Sequence, residues 1–127
     1  MSTLDHIGVQ VADFDASVAF YERALAPLGI ALVMRIPEEA GVKGAGFGAG
    51  KPDFWISEGG RTTPHLHVAF AARRRADVDA FYAAAMAAGG IDNGAPGIRA
   101  HYHPNYYGAF VLDPDGHNIE ACCHAAE

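Results

Sequence analysis

The sequence predicts an α+β fold in which two βαβββ modules form a curved mixed sheet, and three observations carry that expectation. The first is an internal repeat. The stretch HIGVQVADFDASVAFYERALAPLGI from His6 sets without a gap on HVAFAARRRADVDAFYAAAMAAGGI from His67, so Ala19-Phe20-Tyr21 falls on Ala80-Phe81-Tyr82 and Gly29-Ile30 on Gly90-Ile91. Second, each half passes in the same order from a two-residue hydrophobic period to a helical one and back to short strand-like runs. Third, a histidine stands at the same place in each half, 61 residues apart, and Glu120 stands near the end of the second. A repeat that carries a metal-type ligand with it points to chemistry at the junction of the halves.

In the first half, LDHIGVQV alternates: Ile7, Val9 and Val11 form one face, and His6, Gly8 and Gln10 the other. Asp13 or Asp15 is placed to cap a helix whose apolar positions Phe14, Val18, Tyr21, Leu25 and Leu28 recur every three or four residues and end at Gly29. The runs IALVMRI, GAGFGAG and PDFWIS follow as three short strands separated by turn formers. In the second half, HLHVAFA puts Leu66, Val68 and Phe70 on one face and His65, His67 and Ala69 on the other. A helix is expected from about Asp77 to Ala88, with Val78, Phe81, Tyr82 and Ala85 as its inner stripe and Gly89-Gly90 as its stop. Strands near IRAHY, YYGAFVL and HNIEACC complete the unit, the last two joined by the turn DPDG.

Composition bounds the function. With 127 residues, half of them hydrophobic, the chain reads as one domain, with module one over about 1–62 and module two over about 63–127. A net charge of −6 argues against nucleic acid or an anionic membrane as the main partner, since both demand a basic face. A small-molecule substrate is expected instead. No apolar run reaches the roughly 20 residues of a membrane span, and the start MSTLDHIGVQV has no signal-peptide pattern, so the expected location is cytoplasmic. Cys122 and Cys123 are adjacent, with Cα atoms about 3.8 Å apart, below the usual disulfide range.

If Ile119 packs inward, Glu120 points where His6 and His67 point. Two imidazoles and a carboxylate on three strands suit a divalent ion such as Fe, Mn, Zn, Ni or Co, and three protein ligands leave positions open for water or substrate. Open positions favour catalysis over scaffolding.

With these motifs the chain resembles the vicinal oxygen chelate superfamily, which contains glyoxalase I, extradiol dioxygenases, fosfomycin-resistance proteins and bleomycin-binding proteins. The resemblance spans essentially the whole chain and rests on LDHIGVQVADFDASVAFYERALAPLG, HLHVAF and above all AFVLDPDGHNIEA. It implies a glyoxalase-like fold and a divalent metal held by His6, His67 and Glu120. It also implies modules that pair either within a chain or by exchange in a homodimer, and a substrate with neighbouring oxygens on which the metal acts as a Lewis acid. Where glyoxalase I has a further glutamate, the strand PDFWIS offers Asp53 and Trp55 as nearest candidates, and Glu58 comes only at its end. The expectation is three protein ligands, with Asp53 better read as a turn residue. That leaves a set like those of extradiol dioxygenases and fosfomycin transferases.

For acid, base and hydrogen-bonding roles, His65 shares strand parity with His67. The segment GIRAHYHPNYYG adds Arg99, His101, Tyr102, His103, Asn105, Tyr106 and Tyr107. His65 and Tyr107 are the first candidates. Arg73-Arg74-Arg75 reads as a solvated loop, because positive charge opposes a helix N-terminus. GAGFGAGKP lacks the first glycine and the Ser/Thr of a phosphate loop. Two function classes remain: a metal-dependent dioxygenase, lyase or transferase, and a small-molecule binding protein of the bleomycin-resistance kind. A binder has no need of His6, His67 and Glu120 together, which favours the enzyme.

Overall fold

A computed structural model describes residues 4–127 of the chain. The first half contributes β1 (Ile7–Val11), α1 (Phe14–Leu25), β2 (Ala31–Arg35), β3 (Gly44–Gly48) and β4 (Phe54–Glu58). The second contributes β5 (His67–Ala71), α2 (Arg75–Ala87), β6 (Ile91–Ile98), β7 (Tyr107–Leu112) and β8 (Asn118–Cys123). They form two four-stranded mixed sheets of identical topology, β1-β4-β3-β2 and β5-β8-β7-β6, as the repeat requires. In each, the first strand runs parallel to the last and the remaining pairs are antiparallel. The fold is α+β.

Local chemistry explains most boundaries. Asp13 caps α1 by accepting from the Ala16 N–H at 3.1 Å, and Gly29, in the left-handed region at φ 76°, closes the 3-10 turn that follows the helix. The second helix starts inside the arginine run, two residues before Asp77. Its first residue Arg75 gives its backbone N–H to the Glu127 carboxylate at 2.9 Å, so the chain's end supplies the anion that the preceding sequence lacks.

One strand lies elsewhere than expected. Ile91–Ile98 forms β6, while the segment near IRAHY turns, with the Arg99 N–H on the Tyr106 carbonyl at 2.7 Å and the Tyr102 N–H on the Arg99 carbonyl at 2.9 Å. The letters DNGAPG read as a turn. They are accommodated because β6 is an edge strand whose pairing with β7 shifts register twice, so Pro96 needs no ladder bond there.

A continuous core joins the halves. Val9, Phe20, Tyr21, Phe47 and Phe54 are buried with Val78, Phe81, Val111 and Ile119, and α1 packs on α2. Phe54 and Phe70 meet edge to face at 5.3 Å. The Tyr21 hydroxyl donates to Asp113 Oδ2 at 2.5 Å, and the Ala12 N–H to Asp115 Oδ1 at 3.1 Å, tying the turn between β7 and β8 to the first half. Burial and the neighbouring Asp113 push the Tyr21 phenol well above its ordinary value. The helices pack against one face of each sheet. On the other face Gly8 and Gln10 of β1, and His67, Ala69 and Ala71 of β5, lie exposed. Among the described residues no helix is long and apolar enough to cross a membrane.

Candidate functional site

Alternation along β8 sends Ile119 and Ala121 into the core and leaves Glu120 on the open face, level with Ala69 of β5. His67, two residues before Ala69, shares that face. Its Nε2 lies 2.7 Å from Glu120 Oε1. The glutamate side chain is 2% exposed and the imidazole 53%, so a sunken carboxylate meets a solvent-facing ring.

The other carboxylate oxygen, Oε2, accepts from the Tyr106 hydroxyl, so both oxygens of a buried anion have partners. Burial, then this hydrogen bond, raises the Tyr106 phenol far above its ordinary value and keeps it a donor. Gly108 makes the approach possible, because a Cβ there would stand 3.2 Å from Tyr106 Cε1 and 3.4 Å from Glu120 Oε2. Phe110, opposite Glu120 on β7, lies 6.1 Å from the His67 ring. Cys122 lines up behind Glu120, 8% exposed, and burial raises its thiol.

His6 stands apart from this pair. It precedes β1, and its Nδ1 is 2.7 Å from Asp5 Oδ2. A carboxylate only accepts, so Nδ1 is the donor here, and in the neutral ring this leaves Nε2 as the nitrogen available to ligate. Hydrogen bonds from Lys51, then His6, hold Asp5 below the usual carboxylate range. The separation follows from packing: His6, Asp53, Phe54, Val68 and Phe70 line one groove of about 860 Å³, and Val68 and Phe70 alternate with His67 along β5. The first half therefore lies against the reverse side of β5. Among the described residues, no group of three or more His, Cys, Asp and Glu could hold a metal. One chain presents a two-donor element and, separately, a one-donor element. The donor chemistry of the first fits a divalent ion, but among the described residues its own chain brings no third protein ligand to it.

The register also locates the fourth position. Gly8 pairs with Trp55 as Ala69 pairs with Glu120, so Trp55 stands where the repeat would put a second glutamate. Its indole lies over Gly46, where a Cβ would come within 2.9 Å of the ring. Asp53 precedes β4, and its carbonyl accepts from the Ile7 N–H at 3.0 Å.

The two residues expected to assist lie elsewhere. Tyr107 shares parity with the buried Ala109 and Val111, and its hydroxyl donates to Asp79 of α2 at 2.5 Å beneath the Arg75 guanidinium. His65 lies outside β5, which begins at His67. Its ring packs edge to face on His117 at 5.8 Å, while His117 Nδ1 accepts from the Leu66 N–H. Neither touches the His67–Glu120 pair. Tyr106 does, and counting back by twos from Phe110 through Gly108 would have found it.

The family model for the Glyoxalase/Bleomycin resistance protein/Dioxygenase superfamily matches residues 3–121. The chain belongs to this superfamily. Among solved structures, it is similar to a glyoxalase/bleomycin resistance protein from Albidiferax ferrireducens T118, with 30% identity, 98% of this chain and 100% of that one covered, and a TM-score of 0.79. Two neighbours of lower identity share the superfamily fold. A point mutant of Zea mays glyoxalase I has 21% identity and a TM-score of 0.73, over 98% of this chain and 45% of that one. A point mutant of the fosfomycin resistance protein FosX from Listeria monocytogenes, complexed with Mn(II) and 1S,2S-dihydroxypropylphosphonic acid, has 23% identity and a TM-score of 0.68, over 100% and 92%. Among curated proteins none matches the chain.

Proposed function

We propose that this superfamily member is a divalent-metal-dependent enzyme acting on a small molecule with two neighbouring oxygen atoms. Its working form is a homodimer in which His6 of one copy completes the site begun by His67 and Glu120 of the other. The observation that carries the reading is the buried Glu120 carboxylate, aimed at an exposed imidazole and held from behind by Tyr106. An anion withdrawn from water is costly unless cationic charge balances it, and a divalent ion held by Glu120 and His67 does so. Iron, manganese, zinc, nickel and cobalt all suit this donor set.

When bound, the metal supplies Lewis acidity and open positions for the paired oxygens, as dioxygenase, lyase or transferase chemistry requires. The chain's own groups do the rest. Tyr106 restrains Oε2 and leaves Oε1 facing the open side of the sheet. Asp5 holds the His6 imidazole with Nε2 free, and Trp55, on the same face as Gly8, offers an apolar wall to the substrate. The Listeria neighbour's complex with Mn(II) and a vicinal diol has the metal and oxygen pattern proposed here.

Mixing two inactive variants tests the exchanged site. His6→Ala and His67→Ala proteins, unfolded together and refolded at equal amounts, give mixed dimers with one intact site of two, so the mixture recovers about a quarter of the wild-type metal. A mixture no better than its components sinks the exchanged site. A wild-type protein that retains no transition metal after dialysis sinks the metal reading, and metal retained without turnover of any diol returns the chain to the binding-protein class.

A further inference from the structure

One cation on the open face is fixed in place and, among the described residues, has no anion. Ala69, Glu120, Phe110 and Gly94 form one row across β5, β8, β7 and β6. The Phe110 ring has the His67 ring on one side, and the Arg99 guanidinium lies over it with Cζ 5.3 Å from the centroid. Arg99 Nη1 donates to the Gly97 carbonyl at 2.9 Å and Nη2 to the Ala95 carbonyl at 2.8 Å. These bonds use two of its five donors and neutralise no charge. Among the described residues, Arg99 forms no ion pair in a chain that carries a net charge of −6. Glycines make the room: a Cβ at Gly94 or Gly97 would stand 3.2 Å from the guanidinium nitrogens.

We propose that Arg99 is the anion-binding element of this site and that the substrate carries an oxyanion, a carboxylate or a phosphate-type group, at the end away from its paired oxygens. The proposal rests on the diol reading above. Two strand spacings separate β8 from β6, so Arg99 and the Glu120 end of the row are roughly 10 Å apart. A hydrogen bond takes about 3 Å of that. What remains is the span of a small ring or short chain. A guanidinium tethered over an aromatic ring by two carbonyls presents its free N–H groups in a fixed fork, which suits a two-point contact with an oxyanion.

The test compares 3,4-dihydroxybenzoate with its neutral amide, 3,4-dihydroxybenzamide, by titration calorimetry on Mn(II)-loaded protein. Wild type binds the carboxylate tighter by about tenfold or more. Arg99→Gln brings the two to about equal affinity by weakening the carboxylate alone, and Arg99→Lys keeps part of the preference through its charge. Equal affinities in wild type, or a preference that survives Arg99→Gln, overturn the proposal. So does equal weakening of both probes in Arg99→Gln with a lowered melting temperature, which assigns Arg99 to holding β6. Failure of wild type to bind either probe has a different signature: it defeats the diol reading, and the anion site with it.

Discussion

His67 and Glu120, 53 residues apart in sequence, stand with Nε2 and Oε1 2.7 Å apart because β5 and β8 run parallel with Ala69 level with Glu120. Their union makes a prediction for His67→Ala. The variant leaves a buried carboxylate oxygen without its donor, which costs about 1–3 kcal/mol of stability. Added Mn(II) raises the melting temperature of wild type, since a ligand of the folded state stabilises it, and does not raise that of the variant. Scanning calorimetry with and without the ion checks both halves. An equal rise in the two proteins would remove His67 from the metal set.

Tyr106→Phe deletes the donor behind Glu120 and keeps the ring. The expected results are a loss of about 1.5–3 kcal/mol, the range for a hydrogen bond to a charged group, and metal affinity weakened about tenfold, as for other groups that orient a ligand. Chemical denaturation and metal titration read the two effects. Unchanged values in both would mean that the phenol merely fills space.

Trp55→Glu restores the glutamate that the repeat leaves out. A fourth protein ligand beside His6 is expected to tighten metal binding by about tenfold through added ligand charge. Competition against a chelator measures it. No gain in affinity would show that Trp55 lies outside the completed site.

Gly29 and Gly90 are equivalent in the repeat but are needed for different reasons. Gly29 has φ 76° and open space around it, so Gly29→Ala costs about 1–2 kcal/mol in backbone strain. At Gly90 a Cβ would overlap Val111 Cγ1 and stand 2.8 Å from the Ala85 carbonyl, so Gly90→Ala costs about 1–3 kcal/mol or more through overpacking. Structures of the two variants are expected to show displaced core residues for Gly90→Ala alone.

Tyr21 makes stability fall in alkali. Its folded phenol titrates well above the unfolded one, so above about pH 10 the unfolded chain loses a proton that the native one keeps. The native state binds more protons there, and stability declines as pH rises from that point toward the folded value. Tyr21→Phe removes its own share of this slope, leaving those of the other raised phenols such as Tyr106, and lowers stability at neutral pH, because Asp113 loses its donor. Urea midpoints between pH 8 and 11 measure the difference.

Sequence patterns reached the paired sheets and helices because alternation and helical period are local properties. The outward direction of Glu120 follows from the inward direction of Ile119. What escaped them depends on tertiary context. The turn-like letters of β6 form a strand only because β7 is alongside. Which of Tyr106 and Tyr107 faces Glu120 turns on a single residue of register, set by where the Arg99–Tyr106 turn closes. His65 stands before β5 and packs on His117, whose Nδ1 takes the Leu66 N–H. The distance from His6 to His67 and Glu120 depends on which side of β5 the first half packs against, and no local pattern encodes that.

One edge of each sheet is irregular: β2 shifts register between Leu32 and Met34, and β6 shifts twice and contains Pro96. Neither offers a straight row of N–H and C=O groups to a passing strand, so growth edge to edge into fibrils is blocked on the β2 and β6 sides. The same irregularity that hid β6 from its sequence thus sets a limit on polymerisation through that edge.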